Sequence, residues 1–109
     1  MSYDEGVAQR VREVLADRED LVEKKMFGGI AFMLSGNMCC GVLEDSLMAR
    51  VGPANYAGAL QRPHARAMDF TGKPLKGFVY VAPAGFDADE DLREWISLCL
   101  GFVDTLPPK

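Results

Sequence analysis

The sequence has few of the residues that build most catalytic and metal sites. It contains one histidine and three cysteines in 109 residues, and two of the cysteines, Cys39 and Cys40, are adjacent. An odd number of cysteines with this spacing fits neither a disulfide framework nor a zinc site, so we expect reduced thiols, no metal and no cofactor. No G-x-G-x-x-G or G-K-[ST] motif occurs, and a nucleotide-phosphate loop therefore has no support.

The chain also lacks a long apolar run. Nothing approaches the roughly 20 consecutive apolar residues of a membrane-spanning helix. The first six residues are polar and acidic, unlike a signal peptide. With 49% hydrophobic and 26% charged residues, the composition is that of a globular protein. We expect one soluble, cytoplasmic domain over residues 1–109, with no membrane partner.

Acidic residues are scarce in the middle of the chain. The net charge is −4, and the acids concentrate in residues 1–23 and 87–109. Between residues 46 and 86 the only acid is Asp69, against five cations: Arg50, Arg62, Arg66, Lys73 and Lys76. Two interpretations stay open. Either the acids simply solvate the exposed faces of the terminal helices, or the middle segment forms a cationic surface for an anionic ligand or partner. Direct DNA binding is not expected of a chain with a pI of about 4.9.

Hydrophobic spacing and turn residues predict the secondary structure. A capping box at Ser2–Glu5 opens a helix, and an Asp-led capping box at Asp87–Glu90 opens a longer one that ends before Pro107. Between them we expect three strands, a short helix and two more strands, with these approximate bounds: 30–34, 38–43, 47–51, 53–61, 65–70 and 77–82. The order α-β-β-β-α-β-β-α predicts a two-layer α+β fold with an antiparallel five-stranded sheet.

Several short blocks together resemble the TfoX N-terminal domain family. They are residues 26–32 (MFGGIAF), 36–38 (GNM), 50–52 (RVG), 63–66 (PHAR), 68–70 (MDF) and 76–81 (KGFVYV). The resemblance covers essentially the whole chain. It implies a fold similar to type III secretion chaperones, in agreement with the element order above.

The resemblance also implies a class of function. TfoX proteins, also called Sxy, are bacterial competence regulators that act with a cyclic-AMP-responsive transcription factor and carry a second, C-terminal domain. This chain is expected to be a stand-alone N-terminal module. The family offers no catalytic residues to carry over, so the resemblance implies a non-enzymatic module with a protein partner. Homodimerisation is expected because chaperone-like relatives dimerise.

One set of charged residues is the candidate anion or partner site: Arg50, His64, Arg66, Asp69, Lys73 and Lys76. The alternative function is binding, or chemistry, on a small anionic ligand near Arg50, His64 and Arg66. A structural interpretation stays equally open, in which Asp69 pairs with Arg66 or Arg50 at a strand edge.

Two further motifs are interpreted structurally. Gly28 and Gly29, after Phe27, indicate a bulge or a close approach of two backbones at the start of a strand. Cys39 and Cys40 should point to opposite faces of a strand, so at most one is expected on the covered side. Inert buried thiols are favoured over a redox thiol or a Cys–His pair with His64.

Overall fold

The computed structural model describes residues 3–26, 28–69 and 74–109. The helices are α1 Glu5–Val14, α2 Pro53–Leu60 and α3 Asp89–Val103, and a 3₁₀ turn Pro83–Gly85 precedes α3. The strands are β1 Leu21–Met26, β2 Gly29–Leu34, β3 Asn37–Leu43, β4 Ser46–Arg50, β5 Ala65–Asp69 and β6 Pro74–Val81. Every paired strand is antiparallel, which confirms the α+β class. Within the described residues, no helix is both long and apolar enough to cross a bilayer.

The sheet has six strands in the order β1-β2-β3-β4-β6-β5, so the prediction of five was wrong by one strand. The missing strand is β1, whose sequence LVEKKM shows no apolar alternation. Its four central residues are exposed because β1 lies at the edge of the sheet, and edge strands are commonly protected by charge. Pairing with β2, and not burial of a face, therefore defines this strand.

All three helices cover the same face of the sheet. Helix α3 packs across β3 and β4, α1 on β3, and α2 on β5 and β6. Alternate strand residues meet the helices in one core, among them Ile30, Phe32, Leu34, Val42, Leu47, Ala49, Val79 and Val81. From α3, the core receives Leu92, Trp95, Ile96, Cys99 and Val103. Spacings of three and four in α3 thus bury one stripe, as the sequence indicates.

The helix starts differ from the predicted capping boxes. Asp4 caps α1, where its carboxylate accepts hydrogen bonds from the backbone N–H groups of Gly6 and Val7; the predicted cap Ser2 lies outside the described residues. Helix α3 begins at Asp89 with Ala88 as its cap, so Asp87 is not the cap. The segment before α3 is instead held by Arg10, which donates to the backbone carbonyls of the two residues before Ala88.

A bulge in β3 corrects the prediction for the adjacent cysteines. Phe32 pairs with Cys40 and Met33 with Met38, which leaves Cys39 as an extra residue. Because a bulge re-aims a side chain, Cys39 and Cys40 both join the helix-covered core, and both are fully buried. Strict alternation would have buried only one of them on that side.

The two glycines at the start of β2 act through their backbones. Gly28 has a φ of 78°, a conformation that favours glycine. At Gly29 a side chain would collide with the backbone carbonyl of Val42 in β3. The close backbone approach expected from the sequence is therefore present at Gly29, while Phe27 lies outside the described residues.

Candidate functional site

The side of the sheet that faces away from the helices carries a continuous cross-strand row. Strand pairing aligns Lys24, Ala31, Gly41, Met48, Tyr80 and Arg66 from one edge of the sheet to the other. A second row aligns Val22, Met33 and Met38. We call these two rows the open face. Its centre is apolar, and one cation lies at each end of the longer row.

Methionine side chains fill the middle of the open face. Gly41 has no side chain, and methionines occupy the space beside it. The terminal methyl carbon of Met48 lies 2.7 Å from the position that a Cβ on residue 41 would take, and the terminal methyl carbon of Met38 lies 3.3 Å from it. Met48 is fully buried, whereas Met33 and Met38 are half-buried. Beside them Val22 is 60% exposed. Unbranched thioether side chains adapt to varied apolar partners, so this surface can accommodate one.

The charges on the two sides of the domain differ in sign. Arg50 and Lys76 are not part of the open face: both line a pocket with Phe102, at the last turn of α3. Neither row contains an acid, although Asp69 and Glu44 are close enough to Tyr80 to raise its pKa. Helices α1 and α3 carry six acids against three arginines: Glu5, Glu13, Asp89, Glu90, Asp91 and Glu94, with Arg10, Arg12 and Arg93. Helices α1 and α3 thus carry an excess of acids, whereas the longer row of the open face ends in a cation at each edge of the sheet.

Arg66 and Tyr80 form a stacked pair at the β5 edge. The Arg66 guanidinium carbon lies 4.8 Å from the centroid of the Tyr80 ring, a cation–π contact. Burial raises the pKa of Tyr80; Glu44 and Asp69 add to the rise and Arg66 opposes it. Tyr80 is therefore a neutral hydroxyl that presents a polar edge beside the methionines.

A small pocket lies where β4 and β6 meet the last turn of α3. It has a volume of about 120 Å³ and is lined by Arg50, Lys76, Phe78 and Phe102 with the backbone around Gly52 and Gly77. The Arg50 guanidinium lies between the two rings, 5.5 Å from the Phe78 centroid and 5.3 Å from that of Phe102. Two cations predicted from the sequence therefore share one cavity.

The other predicted site residues do not join this pocket. His64 is exposed, with a φ of 69°, and its carbonyl accepts from Ala82 beyond the opposite end of β6. Asp69 is exposed at the end of β5, and neither Arg66 nor Arg50 forms an ion pair with it among the described residues. Lys73 lies outside the described residues.

The three cysteines form one buried cluster under α3. Cys39, Cys40 and Cys99 are all fully buried. Hydrogen bonds with Cys40 and Cys99 lower the pKa of Cys39, while those bonds and burial raise the pKa of the other two thiols. Since His64 is exposed and the thiols are in the core, the geometry gives no support to a Cys–His pair.

Sequence reasoning missed the open face because it treated the strands only as core-forming elements. Met33, Met38 and Met48 occupy the positions between the core residues of their strands, and that spacing was the available signal. Lys24 was missed because strand β1 was not predicted.

The sequence profile of the TfoX N-terminal domain matches residues 13–103 of the chain.

The chain belongs to the TfoX N-terminal domain family. The match runs from within α1 to the last residue of α3, so the TfoX domain includes both the open face and the Arg50 pocket. No curated protein and no solved structure matches this TfoX domain. Membership therefore establishes a domain of the kind found in competence regulators. Any more specific function has to be inferred from the surfaces of this chain.

Proposed function

We propose that this TfoX domain is a non-enzymatic interaction module in transcriptional regulation, and that its open face binds an acidic protein segment with an apolar stripe. The observation that carries the proposal is the open face itself. Its accessible apolar part consists of Met33, Met38 and Val22, Lys24 and Arg66 stand at the two ends of the longer row, and neither row contains an acid. An amphipathic helix bearing carboxylates beside its apolar stripe complements this arrangement in shape and charge.

The charge of the open face also favours a foreign partner over a second copy in the same orientation. Two open faces brought together would place like charges near one another, which costs energy unless the registers keep them apart. Homodimerisation through another surface stays a prediction. Light scattering tests it, because a monomeric mass at working concentration would contradict it.

Binding can be measured with a designed peptide in place of the unidentified partner. The probe is an amphipathic helix with a leucine stripe flanked by glutamates, and its matched control replaces every glutamate with lysine. With ¹³C-methyl-labelled methionine, the resonances of the half-buried Met33 and Met38 should shift on addition of the acidic peptide. The basic peptide should bind at least about tenfold more weakly, because it meets cations at both ends of the face.

Paired variants separate the open face from general charge effects. Lys24→Glu combined with Arg66→Glu should abolish binding of the acidic peptide. Lys25→Glu combined with Arg93→Glu is the matched control, since both residues are exposed and neither lies in the two rows: Lys25 alternates to the other side of β1, and Arg93 is in α3. Equal loss in the control, shifts confined to residues off the open face, or tighter binding of single-stranded DNA than of the peptide would each contradict the proposal.

A further inference from the structure

Arg50 is held in place and yet keeps most of its donors unused. Its guanidinium is sandwiched between Phe78 and Phe102, and Nη1 donates to the Met38 carbonyl at 3.3 Å. No carboxylate lies within ion-pair distance of it among the described residues. A guanidinium has five N–H donors in a fixed fork, so a planar, oriented cation faces the cavity with donors to spare.

The cavity beside Arg50 is formed by backbone that needs glycine. Gly52 has a φ of 86° and Gly77 a φ of 95°, and the N–H groups of Val51 and Gly52 both donate to the Gly77 carbonyl. A side chain at position 52 would collide with the Phe102 ring. These contacts fix the distance between β4 and β6, and so they fix where Arg50 and Lys76 stand around the opening.

We infer that this pocket binds a phosphate monoester group. A dianionic phosphate is balanced by two positive charges, and two cationic residues line the pocket, Arg50 and Lys76. A volume of about 120 Å³ has room for one such group. Lys76 is exposed, so the group can enter from the solvent side.

This assignment goes beyond the peptide surface and is independent of it. The pocket lies at the ends of β4 and β6, and the docking residues lie along the middle of the sheet. If the protein binds the peptide but not phosphate, only the inference about the pocket is contradicted. If it binds phosphate but not the peptide, only the proposal for the open face is contradicted.

The test is a titration of ¹⁵N-labelled protein with inorganic phosphate at pH 8, with sodium chloride holding the ionic strength constant. The amide resonances of Gly52 and Gly77 should move saturably. Acetate, which carries one negative charge, should bind at least about fivefold more weakly, the factor that corresponds to about 1 kcal/mol. Phosphoserine and a sugar phosphate form a further comparison, which separates a phosphorylated side chain from a small metabolite as the source of the group.

Variants decide whether the two cations are responsible. Lys76→Gln removes an exposed charge without disturbing the core and should weaken phosphate binding about fivefold. Arg50→Lys keeps the charge but loses the fork and should weaken binding further. The control is Lys25→Gln, an equal loss of charge on the far edge strand. Equal weakening in the control, shifts away from Gly52 and Gly77, or acetate binding as tightly as phosphate would overturn the inference.

Discussion

The terminal methyl group of Met48 lies over Gly41, in the space that a side chain at position 41 would need. On the opposite strand, the backbone carbonyl of Ile30 lies 2.7 Å from the same point. Gly41 therefore allows β2, β3 and a methionine from β4 to pack in one layer. The apolar centre of the open face depends on the absence of a side chain at this position.

Gly41→Ala should destabilise the domain by about 1–3 kcal/mol, the usual cost of overpacking, because a backbone carbonyl cannot move as a side chain can. The matched control is Gly58→Ala in α2, where nothing lies within 4 Å of the added methyl group. There we expect no loss, since alanine favours a helix more than glycine does. Urea unfolding of both variants measures the difference, and equal stabilities would contradict the packing described for Gly41.

Arg10→Ala should lower the free energy of unfolding by about 1–2 kcal/mol, because charge-assisted hydrogen bonds to backbone carbonyls are lost at a partly exposed site. Arg10 donates to the Phe86 carbonyl at 2.8 Å and to the Asp87 carbonyl at 3.1 Å, which ties α1 to the start of α3. Arg93→Ala, at an exposed arginine of α3, is the control and should change little. If urea unfolding gives the same loss of stability for both substitutions, the role described for Arg10 is contradicted.

Asp20 should make stability depend on acid pH. Hydrogen bonds from Arg18 and then Ser35 lower the pKa of Asp20. Since its pKa in the folded state lies below the unfolded value near 3.9, the contribution is present above that value and is lost as the pH falls through the folded pKa. The stability difference between the native protein and Asp20→Asn should therefore shrink from pH 7 towards pH 3. Unfolding curves that keep a constant difference would contradict this.

The thiols should be inert in the folded protein. Because all three cysteines are fully buried, Ellman's reagent should modify none of them rapidly under native conditions and all three in denaturant. The native rate should follow the opening of the fold, so the destabilised Gly41→Ala variant should react faster. One rapid equivalent in the native protein would show a reachable thiol and would favour the redox interpretation.

The sequence predicted most of the helices and strands because their burial leaves a pattern. Helix α3 and the strands over residues 29–50 bury alternate or helically spaced positions, and these were recognised, as was β6 from Gly77 onward; the structure starts β6 three residues earlier, at Pro74. Strand β1 was not, because an edge strand with exposed charges is defined by backbone pairing that no side-chain pattern records. The bulge at Cys39 was missed for the same reason: it depends on the register with β2.

The candidate site was predictable only in part. The excess of cations in the middle of the chain was visible, and Arg50 and Lys76 do meet at one pocket. His64 was grouped with them by sequence proximity, but β5 and β6 carry it to the other end of the hairpin. Which side chains converge depends on strand pairing across residues distant in sequence, and this pairing is a property of the assembled sheet.

Helices α1 and α3 carry three more acids than arginines, whereas Lys24 and Arg66 place positive charge at the two ends of the open face, so charge is distributed unequally across the thickness of the domain. In the field of a negatively charged molecule, a body of this kind rotates so that its cationic side arrives first. Productive collisions should therefore be enriched before any contact is made, and added salt should slow association more than it speeds dissociation.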